Sequence, residues 1–228
     1  MFRRPSHRRA ACILQALDAN FLAACRCYFG GGTRIVLELG EYRESADIDF
    51  LCSDADGYRA LREAVTAASL GPLLRAPLAL VRDVRSDQYG IRTFIDPGGR
   101  QAPLKFEIVR EARIALTGRT VPVLGVPALD HTTCVAEKLL ANADRGLDRS
   151  TLSRDLIDLA AMAKCWPGAF AVATRRAEAA YGGAIRRGLA AAAALFVSDR
   201  AYAERCLREL RATRSALSLR HIERWAHE

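Results

Sequence analysis

Two aspartates stand two residues apart in Ser45-Ala-Asp-Ile-Asp-Phe50, with an apolar residue after each. In an extended strand, residues i and i+2 share a face. Asp47 and Asp49 therefore project side by side, while Ile48 and Phe50 turn into a core. Carboxylates that close repel each other, and a cation between them relieves the repulsion. Magnesium suits such a pair, because it takes hard oxygen ligands from one or two carboxylates plus the phosphates of a substrate. Upstream, Phe29-Gly-Gly-Gly-Thr33 offers a backbone that can come close to a phosphate, since Gly31 and Gly32 carry no Cβ. Amides at the start of a helix expected over 33–39 can donate to phosphate oxygens. The hydroxyls of Thr33 and Ser45 add two donors, and Thr33 is also placed to cap that helix.

A third carboxylate would complete a metal site, and Leu104-Lys-Phe-Glu-Ile-Val109 supplies one. Alternation puts Leu104, Phe106 and Ile108 on one face and Lys105, Glu107 and Val109 on the other. If this strand lies beside the aspartate strand, Glu107 reaches the same ions. Such a site holds two ions: one aims and helps deprotonate an attacking hydroxyl, the other neutralises a triphosphate and its leaving pyrophosphate. Further along, Lys138 is one of three lysines in a chain with thirty-one arginines. A compact ammonium serves as a point charge for phosphate, although Lys138 among Val135, Leu139 and Leu140 could equally snorkel from a helix surface. Asp155 and Asp158 share a helix face next to Arg154, a spacing that also serves a structural ion pair. His131, beside Asp130 and two threonines, reads as a capping or surface residue.

These residues need elements to position them. Apolar spacing predicts helices over 9–26, 33–39 and 56–69, with a break at Gly71-Pro72, and strands over 46–52, 78–84, 90–95, 104–109 and 113–123. Beyond Pro127 the pattern is helical: 129–144, 151–165, 168–179, 183–197, 200–213 and 216–226, with Tyr181-Gly-Gly183 as an interhelix turn. The organisation is an α+β module over 1–126 followed by a helical module over 127–228.

Composition narrows the partners. The 228 residues carry a formal charge of +8, unevenly spread. Residues 1–28 hold five basic residues and one acidic, residues 164–228 twelve and six, and the stretch 29–163 seventeen and nineteen. Positive charge flanks the aspartates, as suits a polyanion gripped outside the chemistry; the arginine content alone would also follow from codon bias. Seven scattered cysteines form no CxxC pair and read as reduced, mostly buried thiols of a cytoplasmic protein. No secretion signal is recognised, and the apolar run Leu189–Val197 is too short to span a bilayer, so no membrane role is expected.

Taken together, Phe29-Gly-Gly-Gly-Thr33 and Arg43-Glu-Ser-Ala-Asp-Ile-Asp-Phe50 resemble the first motif of the polymerase-β-like nucleotidyltransferase superfamily, and most closely its AbiEii/AbiGii-type toxin branch. Glu137-Lys138-Leu139 and Arg154-Asp155-Leu-Ile-Asp158 resemble that branch's later motifs. The resemblance spans 29–159; it implies a small mixed sheet with flanking helices, and transfer of a nucleoside monophosphate from an NTP to a hydroxyl. It assigns Asp47, Asp49 and Glu107 to two Mg²⁺ ions. Gly31, Gly32, Thr33 and Ser45 would bind the phosphates, Lys138 would contact the triphosphate, and Asp155 would organise the nucleotide site. It further implies a toxin of a toxin–antitoxin or phage-defence pair, with RNA, in particular the tRNA 3′ end, as acceptor and a cognate antitoxin as partner. Two alternatives stand beside it. One is the same transfer to a small molecule or protein; the other is a non-catalytic nucleic-acid binder on the same scaffold.

Overall fold

The computed structural model describes residues 2–98, 101–213 and 218–228, which divide into two units. The first comprises residues 2–37 and 45–130; the second comprises 38–44 and 131–228.

The first unit is built on a seven-stranded sheet. In chain order its strands are β1 (Cys27–Phe29), β2 (Ile48–Cys52), β3 (Arg85–Ser86), β4 (Gly90–Ile95), β5 (Leu104–Arg110), β6 (Gly118–Val121) and β7 (Val126–Leu129). Their spatial order is β3-β4-β5-β2-β1-β7-β6. The pairs β2–β5 and β1–β7 are parallel, and the remaining pairs are antiparallel. Alternation decides which side chains make the core. Ile48, Phe50, Phe106 and Ile108 are fully buried. Phe50 packs against Phe29 and Phe106, with ring centroids 5.4 and 6.1 Å apart. Each such ring contributes about 1.5–3 kcal/mol by leaving water, enough to fix the register and so the opposite face of β2 and β5.

Helices α1 (Pro5–Ala16), α2 (Ala19–Ala24), α3 (Gly31–Glu38) and α4 (Ala55–Ala64) accompany the sheet in the chain. The helix expected over 9–26 is two helices. Leu17 is extended, and Asp18 caps α2 by accepting from the Phe21 amide at 2.8 Å, which breaks the rod between them. Helix α3 begins at Gly31, so Thr33 lies inside it rather than capping it. Asp54 caps α4 through the Gly57 amide, and the helix ends at Ala64, short of the expected residue 69. The segment 78–84 is not a regular strand: Leu80 makes one bridge to Ile95, and the ladder proper is confined to Arg85–Ser86.

The second unit is helical: α5 (His131–Arg145), α6 (Arg154–Cys165), α7 (Pro167–Tyr181), α8 (Ala184–Ser198), α9 (Arg200–Glu209) and α10 (Leu219–Trp225). The expected helix over 216–226 is seen from Leu219; residues 216 and 217 lie outside the described residues. Segment 38–44 belongs to this unit. The Thr213 amide donates to the Tyr42 carbonyl, the Glu44 amide to the Leu210 carbonyl, and Glu38 meets the His131 ring at 2.6 Å. The side chain of His131, expected as a capping or surface residue, is 40% exposed at the start of α5 and stacks on Trp166 at 4.0 Å. The seven cysteines are free thiols, with only Cys12 and Cys165 exposed. Among the described residues, no helix is long and apolar enough to cross a membrane.

Candidate active site

In the first unit, Asp49 sits on β2 on the face opposite Ile48 and Phe50, and Asp47 is exposed just before the strand. The Gly30 amide donates to the Asp49 carbonyl at 2.8 Å, closing the end of β1 onto β2. The next residue, Gly31, has φ +66° and opens α3. A Cβ built there would lie 2.4 Å from Asp49 Oδ2. The aspartate carboxylate is thus seated directly on the glycine turn, and any side chain at Gly31 would evict it. The positive end of a helix favours a negative group in that position.

This geometry gives a measurable expectation. Gly31→Ala combines left-handed strain, about 1–3 kcal/mol, with displacement of the Asp49 carboxylate. Gly40 also has positive φ, +78°, but open space around its Cβ position. Urea unfolding should show Gly31→Ala destabilised beyond Gly40→Ala; equal losses would mean that the carboxylate simply moves aside.

Thr33 and Ser45 come together as well, their hydroxyls 3.0 Å apart. Thr33 is fully buried and Ser45 half-buried, so of the two hydroxyls Ser45's is the one open to a ligand. The Ser45 amide is held by the buried His7 ring at 3.3 Å.

Glu107 lies beside Asp49, because the β2–β5 register pairs the two residues directly. Its carboxylate is nevertheless already engaged. Arg92 Nε on β4 donates to Oε1 at 2.6 Å, and the Lys105 ammonium bonds Oε2. Burial raises the Glu107 pKa, but the Lys105 and Arg92 hydrogen bonds outweigh it and hold the carboxyl below its ordinary value. Among the described residues, no three His, Cys, Asp or Glu side chains converge closely enough to hold a metal by themselves. Asp47 lies just outside β2, so its side chain is not fixed beside Asp49 by the strand; the carboxylates of these two residues, with phosphate oxygens and waters, are nonetheless donors of the kind magnesium takes. The residues therefore fit an ion that arrives with its nucleotide.

The second unit holds a buried charge network. Lys138 on α5 is 7% exposed, and Asp155 and Asp158 on α6 are 2% and 0% exposed. The Lys138 ammonium reaches Asp155 Oδ1 at 2.7 Å and Asp158 Oδ2 at 2.8 Å. Arg145 adds a 2.7 Å contact to Asp155. Arg43 forks onto both oxygens of Asp158 at 2.6 and 2.7 Å, and the Tyr42 hydroxyl donates to the same carboxylate at 2.5 Å. Desolvation pushes both carboxyls up. The partners reverse this: Lys138 and Arg145 bring Asp155 well below the carboxylate range, and Arg43 and Lys138 lower Asp158. Burial lowers Lys138, but the two aspartates prevail and its pKa is raised. The contacts thus favour the ionised forms of Lys138, Asp155 and Asp158.

The profile of the family described as "Nucleotidyl transferase AbiEii toxin, Type IV TA system" matches residues 12–227. The chain belongs to the AbiEii family. It is thereby a nucleotidyltransferase of the toxin class found in type IV toxin–antitoxin systems, a setting that implies an NTP substrate and a cognate antitoxin. No curated protein matches the chain significantly. Among solved structures, the crystal structure of JHP933 from Helicobacter pylori is similar at 16% identity, with a TM-score of 0.56 over 99% of this chain and 90% of that one. This likeness supports the fold, a mixed sheet with flanking helices followed by a helical module. A second H. pylori protein, provisionally described as a nucleotidyltransferase, aligns at 15% identity with a TM-score of 0.38, covering 80% of this chain and 92% of that one.

The sequence missed the partners of the AbiEii-type residues. Arg43 stands in the first motif, two residues before Ser45, but nothing local shows that it reaches Asp158. Arg145, Arg92 and Lys105 likewise gave no signal beyond their charge.

Proposed function

We propose that this AbiEii-family chain transfers a nucleoside monophosphate from an NTP to a hydroxyl of RNA, with the tRNA 3′ end as acceptor, in a Mg²⁺-dependent reaction that releases pyrophosphate in the cytoplasm. The observation that carries the reading is the seat of Asp49 on the Gly31 turn. It presents a carboxylate for a cation together with helix-start amides for phosphate oxygens, the two things a metal-bound triphosphate needs.

Asp47 and Asp49 are the ligands in this reading. Magnesium bound there would offset the charge of the triphosphate and of the leaving pyrophosphate and favour deprotonation of the attacking hydroxyl. The backbone of Gly31, Gly32 and Thr33 and the Ser45 hydroxyl orient the phosphates. Glu107 is the third ligand only after releasing Arg92 or Lys105. Held ionised by these cations, it is a weak base, so its contribution is charge more than proton abstraction. In the helical unit, Lys138 is the proposed contact for the triphosphate, with Asp155 orienting its ammonium at 2.7 Å.

The decisive experiment incubates the protein with total tRNA and each labelled NTP in turn, with Mg²⁺ or with EDTA. Label should enter tRNA with at least one NTP and only with Mg²⁺. Label on the protein or on a small molecule would move the acceptor away from RNA, and no label under any NTP removes the tRNA assignment.

A further inference from the structure

We propose that the helical unit carries a second site, a cleft among α5, α7, α8 and α10 that grips a single-stranded segment of RNA. The proposal rests on the RNA-acceptor reading above. The cleft has a volume of about 750 Å³ and reaches down to Leu139 and Ile185, ample for a nucleotide-sized group. Phe170 and Trp225 stack at one side, with centroids 5.8 Å apart and planes within 19°. Trp225 is buried beneath, while the Phe170 ring stays partly open.

Four arginines line the cleft, and the sole acid among its lining residues is Glu228. Two of these arginines have acidic partners: Arg186 with Glu178 at 2.5 Å and Arg224 with Glu228 at 3.3 Å. Arg175 on α7 and Arg187 on α8 are exposed, and among the described residues neither guanidinium has an acid or hydrogen-bond partner. Two guanidiniums without an ionic partner thus line the same cleft as the Phe170 ring. They match what a nucleic acid strand offers, phosphates for the arginines and a base for the ring. An acidic peptide would satisfy the charges but would leave the ring without a flat partner.

The test is anisotropy titration of a labelled short oligoadenylate, with no NTP or Mg²⁺, across a range of salt. Arg175→Ala/Arg187→Ala should lower affinity and flatten the slope of log K against log[salt] by about 1.4, two phosphate contacts at about 0.7 each. Phe170→Leu keeps apolar packing and should weaken binding at least about fivefold with little change in slope. The control is Arg200→Ala/Arg205→Ala on α9, which removes the same charge from arginines paired with Glu204 and Glu209, and it should bind like wild type. Equal losses in both double variants, or competition by polyglutamate as strong as by RNA, would overturn the site. Because no chemistry occurs in this titration, the cleft can fail while transfer to tRNA succeeds, or persist while the transfer reading fails.

Discussion

Asp49→Ala is expected to cut nucleotide transfer by at least about 10²–10³-fold while leaving the unfolding transition close to that of wild type. The activity loss follows from the scale of charge stabilisation lost with a single group in such sites. The intact fold follows from the position of the side chain. Asp49 is half-buried on one face of β2, whereas the packing that fixes the strand comes from Ile48 and Phe50 on the other side. Its backbone bond to Gly30 is untouched by the substitution. Asp47→Ala, exposed before the strand, should behave alike. Glu107 gives a less clean result, because its removal takes the partner of Lys105, leaves Arg92 with Asp87 alone and disturbs the sheet face together with any catalytic part. Activity is read as labelled NMP transfer with Mg²⁺, and folding by thermal and urea unfolding of the same samples. An Asp49→Ala variant retaining more than about a tenth of the activity would be far too active for a metal ligand and would sink the assignment.

Much of the geometry around Asp49 and Glu107 was legible because it is local. Strict alternation in Ile48-Asp49-Phe50 and in Leu104–Val109 identifies the inward residues and, by elimination, the faces of Asp49 and Glu107. Whether the two strands are neighbours is left open by alternation, and the parallel register of β2 with β5 meets that condition. Short elements escaped. β1 has three residues and β7 four, one of them Pro127, and such pieces take their strand character from the partners they pair with rather than from their own periodicity. The opposite error at 78–84 has the same origin. Apolar spacing is present there, but the segment adds only isolated bonds along β4, such as the Val81 amide to the Phe94 carbonyl, and Val81 stays half exposed. The charge network was legible only in part. Lys138, Asp155 and Asp158 could be picked out, but Tyr42 and Arg43 reach Asp158 across 116 and 115 residues of chain, and no periodicity reports a contact at that distance.

That long-range contact sets the second large effect, on stability. Asp158→Ala removes a fully buried carboxylate and leaves Arg43 without its forked partner and Lys138 with only Asp155. Breaking a buried pair from one side costs about 3–5 kcal/mol, because the remaining charge stays desolvated. Segment 38–44 should loosen first, with faster amide exchange at Glu44 and Thr213, whose backbone bonds tie it to the end of α9 and the residues after it. Lys138→Met is the matching control. It leaves Arg43 on Asp158 and Arg145 on Asp155, so it should cost distinctly less than Asp158→Ala. The pH dependence follows from the direction of the shifts. Asp155 and Asp158 titrate below their unfolded values. Their stabilisation is therefore complete above an unfolded pKa of about 3.9 and is lost as pH falls through the native values. Lys138 runs the other way: its raised pKa stabilises below about 10.4 and the benefit fades as pH climbs through the native value. The gap in unfolding free energy between wild type and Asp158→Ala should thus be flat near neutrality and close below about pH 4. A gap that persists unchanged into strong acid would mean that Asp158 stabilises by packing rather than by charge.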